Sequence, residues 1–342
     1  MARVGVVSYR LGGVDGVSVE AAKWCGALAA LGHEVTTVAG EGTAEHLVAG
    51  LAARATGPVD GRALERALAG CDLVVVENLV SLPLNPHAVE ATYRALAGRA
   101  ALFRHHDLAW QRPGGPDAPP RTGDRWRHVT INERSRVELA ARGVAALTLY
   151  NAFDLDPPVG ERHGTRARLG VGDGRLALMP SRAIARKNVP GALALCEALG
   201  ATLWILGPAE DGYDDELDRL VAAGAAPVIR GRPEGVDVAD AYAACDLVIV
   251  ASTWEGFGNP VLESVAHRRP LAVNPYPVLT EITATGLRFF ELTDVEAIAA
   301  ELDAPDLTRR AANLALARAH FDLADLPHRL APLVGELLAG SR

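Results

Sequence analysis

The stretch Ser252-Thr-Trp-Glu-Gly-Phe-Gly-Asn-Pro-Val-Leu-Glu263 follows the apolar run Leu247-Val-Ile-Val-Ala251 and leads into Val261-Leu-Glu-Ser-Val-Ala-His267. The first run reads as a buried parallel strand, and the last has the apolar spacing of a helix. Strand, glycine-bearing turn and helix N-terminus together are how α/β folds present backbone N–H groups to a phosphate. Glu255 and Glu263 flank that turn. A carboxylate beside a phosphate-binding turn accepts hydrogen bonds from hydroxyls more readily than it tolerates an anion. The pattern therefore suits a ligand with phosphates in its middle and hydroxyls at both ends, and a nucleotide-sugar is such a ligand.

Working outward, 342 residues predict two domains of roughly 150 residues each. Hydrophobic residues at 49% and charged residues at 22% describe a globular chain with ample core. The net charge of −8 argues against nucleic acid as the main partner. No apolar run approaches the roughly 20 residues of a membrane span. The N-terminus runs straight into a strand rather than a secretory leader. Cys25, Cys71, Cys196 and Cys245 lie far apart with no Cys-x-x-Cys, so they read as reduced thiols of a cytoplasmic protein, without a metal. Of 34 basic residues only Lys23 and Lys187 are lysines. In so arginine-biased a chain a lysine marks a place where a compact ammonium does what a planar guanidinium does not.

The chain opens as a βαβ unit: strand 3–8, glycine turn 11–17, helix 18–31 with Ser18 as N-cap, strand 34–38. Gly12-Gly13 is not the Gly-x-Gly-x-x-Gly fingerprint and no acidic residue ends the second strand, which weakens a nicotinamide-dehydrogenase reading. Alternation continues through strand 72–76, a helix near 86–98, strand 100–104, strand 128–131, a helix over 132–142 and strand 146–150. Arg104-His-His-Asp107 falls at a strand's C-terminal end, where open α/β sheets place ligands. The segment 111–123, with four prolines and three glycines, cannot be regular structure. Asn151 to Gly160 has linker composition, and the pattern then restarts through strand 175–179, helix 188–199, strand 202–206, a helix from about 213 and strand 227–230. Helices near 305–320 and 324–340 close the chain. Ala69-Gly-Cys-Asp-Leu-Val-Val-Val76 echoes Ala243-Ala-Cys-Asp-Leu-Val-Ile-Val250, consistent with two similar halves.

Ser181-Arg-Ala-Ile-Ala-Arg-Lys-Asn188 follows the second half's first strand. Arg182 and Lys187 are close enough along this loop to converge on one anion, as a departing diphosphate requires. A loop of solvated charges is the competing reading of Arg182 and Arg186. With Glu255-Gly-Phe-Gly…Glu263, this segment resembles the C-terminal signature of retaining GT-B glycosyltransferases of the family-4 (group 1) type, in which two carboxylates stand eight positions apart. Gly12-Gly13 resembles the N-terminal glycine loop of that family and His106-Asp107 its acceptor-side loop. Asn151-Ala-Phe-Asp154 falls where its interdomain segment would.

The resemblance implies α/β GT-B architecture: two Rossmann-like doubly wound domains facing across a central cleft. Residues 1–155 would bind acceptor and 156–322 the nucleotide-sugar, while a C-terminal helix in 323–342 packs back on the first domain. It implies a retaining, metal-independent hexosyl transfer from a UDP-, GDP- or ADP-linked sugar. Arg182 and Lys187 would hold the diphosphate, Glu263 the ribose, Glu255 the donor sugar, and Gly12, Gly13 and the backbone of Gly256, Phe257, Gly258 and Asn259 the rest of the donor. Pro260 departs from the pattern by removing one N–H. His106 would stabilise charge at the anomeric carbon, with His105, Asp107 and Arg112 on the acceptor side. Side-chain alternation at the strand end leaves open which histidine points inward. Asp154-Leu-Asp156 reads as a turn rather than a metal motif.

Six arginines between Arg99 and Arg127 suggest a soluble small acceptor, polar or anionic; a solvated surface is the alternative. The segment 43–69 lacks a basic amphipathic face, so a lipid acceptor and a membrane anchor are not expected. Three other readings share the two-domain plan: a nucleotide-sugar epimerase, a sugar phosphorylase and a non-catalytic nucleotide-sugar-binding protein.

Overall fold

Val4, Val6, Val7 and Leu73 to Val76 are all fully buried, because they lie in adjacent parallel strands covered on both faces. They belong to a seven-stranded sheet in the computed structural model, which describes residues 1–13 and 15–340. Val14, in the expected glycine turn, and Ser341 and Arg342, after the last expected helix, lie outside the described residues. The elements of the first half are β1 (Arg3–Leu11), α1 (Gly16–Ala30), β2 (Glu34–Gly42), β3 (His46–Leu47), α2 (Gly61–Leu68), β4 (Leu73–Glu77), α3 (Pro86–Ala95), β5 (Ala101–His105), β6 (Trp126–Thr130), α4 (Glu133–Ala140) and β7 (Ala146–Thr148). Every strand pair is parallel, in the order β3-β2-β1-β4-β5-β6-β7. Of the segment 111–123, Gln111 closes a 3-10 turn over Ala109–Gln111, and residues 112–123 form neither helix nor strand.

The second half repeats the scheme with α5 (Arg162–Leu169), β8 (Leu176–Met179), α6 (Val189–Leu199), β9 (Thr202–Ile205), α7 (Asp214–Ala223), β10 (Val228–Arg230), α8 (Val238–Ala244), β11 (Leu247–Val250), α9 (Asn259–Ala266), β12 (Leu271–Val273), α10 (Leu279–Ala284), β13 (Phe290–Glu291), α11 (Val295–Asp303) and α12 (Leu307–Phe321). Its six parallel strands run β10-β9-β8-β11-β12-β13. The last helix, α13 (Leu326–Ala339), joins the first sheet: Leu330 and Val334 pack with Val4, Val6, Trp24 and Leu28. The chain accordingly divides into Met1–Ala152 with Leu323–Arg342, and Phe153–Asp322.

In each sheet the strand order reverses beside the first strand, between β1 and β4 and between β8 and β11. The loops leaving those strands at their carboxyl ends flank the crevice where open α/β sheets bind ligands. The repeated Cys-Asp-Leu-Val has a structural cause. Asp72 accepts a hydrogen bond from the Arg3 N–H at 2.8 Å, and Asp246 accepts from the Leu176 N–H at 2.8 Å. Each aspartate satisfies the first N–H of its sheet's opening strand.

One N-cap differs from expectation. Helix α1 begins at Gly16 and is capped by Asp15, which accepts from the Ser18 N–H at 3.1 Å; Ser18 is already helical and donates its hydroxyl to the same carboxylate. An ionised carboxylate also meets the positive end of the helix dipole, which a hydroxyl does not.

Candidate functional site

In the second unit two loops at the β8/β11 reversal are joined backbone to backbone, the Thr253 N–H donating to the Arg186 carbonyl at 2.9 Å. The loop after β8 tightens into a 3-10 turn over Ala185–Lys187. Asn188 then adopts a left-handed conformation (φ 51°) and caps α6 through the Gly191 N–H. This turn aims Lys187 inward, where its ammonium hydrogen-bonds Glu255; both side chains are 9% exposed. Arg186 reaches the other carboxylate oxygen of Glu255 at 3.1 Å and the Trp254 carbonyl at 2.9 Å. Burial pushes the Glu255 carboxyl up, but Lys187 and Arg186 outweigh it and hold the group below the usual carboxylate range. Burial lowers the Lys187 ammonium, with Arg186 and Arg182 adding to the fall and Glu255 opposing it.

Arg182 does not join Lys187 on a shared carboxylate. It pairs with Glu210 at 2.6 Å, and both are about two-fifths exposed. Arg182, Arg186 and Lys187 thus divide between the carboxylates of Glu210 and Glu255.

Helix α9 opens on Gly258, whose φ of 92° favours glycine. A Cβ there would sit 2.1 Å from the Tyr276 hydroxyl oxygen, which donates to the Phe257 carbonyl at 3.0 Å. The Phe257 ring is buried against Phe153 and Phe321, so only its backbone is near the turn surface. Pro260 lies in the first turn of α9, where its missing N–H has no intrahelical partner to lose and its fixed φ suits the helix. Gly256, Asn259 and Glu263 complete the segment. Glu263 accepts from the Tyr242 hydroxyl at 2.7 Å, and the Tyr242 ring stacks on His267 at 4.4 Å, 3° from coplanar. Burial, then the Glu263 carboxylate, raises the Tyr242 phenol well above its ordinary value, so it stays a donor.

In the first unit, Gly12 (φ 72°) and Gly13 follow β1. A Cβ on Gly12 would lie 2.6 Å from Thr43 Cβ, so close backbone packing already requires glycine there. His105 is not on an acceptor-facing surface: it is 1% exposed, and its Nε2 lies 2.9 Å from His128 Nδ1 within the sheet core. Desolvation holds both imidazoles low, His128 at about 4. His106 turns the other way. Its Nε2 is 2.7 Å from Glu77 Oε2, and its N–H donates to the Asn78 side-chain carbonyl at 2.9 Å. Asp107 pairs with Arg112 at 3.2 Å, the arginine half exposed.

Glu77 belongs to a buried network absent from the sequence reading. Arg104, fully buried, contacts Glu77 Oε1 at 3.4 Å, Glu20 Oε2 at 3.1 Å and Asn151 Oδ1 at 2.9 Å, and lies over the Trp24 ring at 4.4 Å. Lys23 joins Glu20 at 2.5 Å and the Ala152 carbonyl at 2.7 Å. The signal was available: Glu77 and Arg104 are charged residues in otherwise apolar strands, and Lys23 is one of two lysines. Of the six arginines, Arg112 stands beside Asp107 and Arg125 reaches the Gly98 carbonyl at 3.1 Å. Arg99 caps carbonyls of Leu68 and Cys71, Arg121 pairs with Glu90 and Arg127 with Glu336, while Arg104 is interior. Asp154 accepts from the Asp156 N–H at 3.0 Å, which makes Asp154-Leu-Asp156 a turn.

Residues 183–304, which hold Arg186, Lys187, Glu255 and Glu263, match the family described as glycosyl transferases group 1. Over 85% of its length this chain is 25% identical to the mannosylglucosylglycerate synthase of Thermotoga maritima, of which 85% is covered. Residues 183–304 are thus similar to glycosyltransferases of the group 1 type. The corresponding synthase of Petrotoga mobilis is 24% identical, over 80% of this chain and 83% of that one. Among solved structures, this chain superposes on Anabaena HepE in complex with UDP and glucose with a TM-score of 0.75 at 15% identity, covering 98% of this chain and all of that one. Sucrose-phosphate synthase from Thermosynechococcus elongatus gives 0.76 at 15% identity, covering 99% and 100%. The fold is therefore GT-B. No helix among the described residues is long and apolar enough to cross a membrane.

Proposed function

We propose that this protein is a glycosyltransferase that transfers a hexosyl group, with retention and without a metal ion, from a nucleoside-diphosphate sugar to a hydroxyl of a small polar acceptor. The observation that carries the reading is the buried Lys187–Glu255–Arg186 cluster at the strand-order reversal of the second unit. A cation held dry beside a glycine turn stabilises charge that grows on a leaving group, because no solvent reorganises as it forms. Lys187, with Arg182 swung from Glu210, takes the diphosphate. Glu255 then exchanges part of its ion pair for donor-sugar hydroxyls, and Glu263, oriented by Tyr242, takes the ribose hydroxyls. The backbone of Gly256 to Asn259 supplies further donor contacts.

In the step itself the bond from the anomeric carbon to the diphosphate oxygen breaks and its electron pair leaves with the phosphate. The acceptor oxygen bonds to the same face of the anomeric carbon, and its proton passes to the departing phosphate oxygen. On the first unit, Gly12 and Gly13 line the donor loop and His106, Asp107 and Arg112 serve the acceptor side. A uridine nucleotide is favoured by the UDP and UDP-glucose complexes of HepE. A carboxylated acceptor is favoured by the glycerate in the name of the 25%-identical synthase.

The test incubates the protein with UDP-, GDP- and ADP-hexoses and D-glycerate or glucosylglycerate, with and without chelator. Nucleoside diphosphate release that survives chelation, with a product whose anomeric configuration matches the donor, supports the reading. Release that needs a divalent ion, or an inverted product, overturns it.

A further inference from the structure

The interior of the first unit holds one imidazole with a sharply asymmetric environment. His106 is 6% exposed and Glu77 fully buried, and the ring's Nε2 faces the Glu77 carboxylate at 2.7 Å. The opposite ring nitrogen, Nδ1, hydrogen-bonds nothing among the described residues, yet it is not sealed among the buried unsatisfied atoms. Nδ1 is therefore the ring atom open to a ligand. The backbone that carries the ring is pinned, because Asn78 Oδ1 accepts from both the His106 and Asp107 N–H groups, at 2.9 and 3.0 Å. Asn78 in turn holds a left-handed conformation (φ 56°) at the end of β4, with its own N–H on the Arg104 carbonyl at 2.8 Å.

We infer that Glu77 is a positioning residue that fixes His106 as the Nε2–H tautomer, so that Nδ1 presents a lone pair to a substrate hydroxyl. An ionised carboxylate only accepts hydrogen bonds, so the ring nitrogen facing it must carry the proton. Glu77 is ionised although buried: burial pushes its carboxyl up, and Arg104 followed by His106 brings it below the ordinary value. Glu20 and Lys23 complete the surrounding charges, and Glu20 holds the second face of Arg104 so that its guanidinium stays on Glu77. With Nε2–H committed, a neutral ring can accept a hydrogen bond at Nδ1 and cannot donate one there. An imidazole held this way orients a hydroxyl, a role distinct from the charge stabilisation at the anomeric carbon that the family resemblance implies. The inference rests on the proposed transfer reaction only for the identity of that hydroxyl, which belongs to donor sugar or acceptor.

The experiment is two-bond 15N–1H correlation spectroscopy of protein labelled at histidine, near neutral pH, with the His106 signals assigned from His106→Gln. The expected spectrum shows a neutral ring protonated at Nε2 and a bare Nδ1. An Nδ1–H tautomer, or a doubly protonated ring, overturns the inference. Glu77→Gln offers both an amide donor and a carbonyl acceptor, so the single tautomer should be lost and kcat/KM should fall about 100-fold or more with donor KM little changed. A variant that keeps both the Nε2–H signature and kcat/KM refutes the positioning role. Should Glu77→Gln fail to fold, the spectrum of the unmodified protein decides alone. That spectrum needs no substrate, so a wrong reaction assignment leaves it standing, and a wrong tautomer leaves nucleoside diphosphate release untouched.

Discussion

Lys187 and Glu255 form a hydrogen-bonded ion pair whose two side chains are each 9% exposed, and Arg186 braces the same carboxylate from the other side. The pair is 68 residues apart in sequence and joins the two loops that leave β8 and β11. Such a pair is a weak source of net stability, because desolvating two ions offsets most of their attraction. Breaking it is different, since the survivor is left charged and dry.

Lys187→Met should therefore destabilise the protein by about 3–5 kcal/mol. The double variant Lys187→Met with Glu255→Met should recover most of that loss, because no buried ion remains. Both should release nucleoside diphosphate about 100-fold more slowly or worse. Guanidinium melts and a coupled release assay separate the two effects. A double variant with normal turnover would remove the pair from the donor site.

Gly258 and Pro260 share one turn and make opposite predictions. Gly258→Ala forces a side chain into a left-handed backbone and onto the Tyr276 hydroxyl, so a loss of about 2 kcal/mol or more is expected. Pro260→Ala should change stability by less than about 1 kcal/mol, with donor affinity nearly intact, since the restored N–H lies in the first helical turn. A large loss of donor binding in Pro260→Ala would show that the proline itself shapes the turn.

Tyr242→Phe deletes the hydroxyl on Glu263 and keeps the ring stacked on His267. The donor KM should rise on the order of tenfold with kcat nearly unchanged, because the carboxylate's orientation affects binding and not the breaking bond. A selective fall in kcat would assign Glu263 a different role.

Acid should weaken the first unit through the buried His105–His128 pair. Burial depresses His128 from an ordinary 6.5 to about 4, so the unfolded chain takes up its proton first. Its contribution is complete above about pH 6.5 and is lost as pH falls toward 4, amounting to about 3 kcal/mol across that window. His128→Phe should flatten that part of the stability–pH curve. The limb below pH 4 should remain, because Glu77 and Glu255, both held below their ordinary values, protonate there. An unchanged upper limb would mean that the pair is hydrated in solution.

The charged network around Glu77 shows why part of the site escaped the sequence. Alternating apolar strands and helices betray themselves through periodicity, which each segment carries locally. Glu20, Glu77, Arg104 and Asn151 come from four separate segments, and nothing in any one of them names its partner. The same limit hid the partners of Arg99, Arg104, Arg121 and Arg127. Clustered in sequence, they are scattered by strand and loop geometry onto carbonyls, carboxylates and the Trp24 ring. For His105 and His106 the alternation at the strand end was visible, but its phase was not. A strand's pattern shows that neighbours face opposite ways; the packed sheet selects which way is inward.

The sequence by itself determined the doubly wound architecture in two similar halves, the glycine turn before α9 and the eight-residue spacing of Glu255 and Glu263. These follow from backbone propensity and hydrophobic period, which act over a few residues. Only the tertiary structure decided that Lys187 sits on Glu255, Arg182 on Glu210, His106 on Glu77 and His105 in the core. Ion pairs and buried hydrogen bonds depend on distances of a few ångströms between remote segments, and those distances exist only once both sheets have packed.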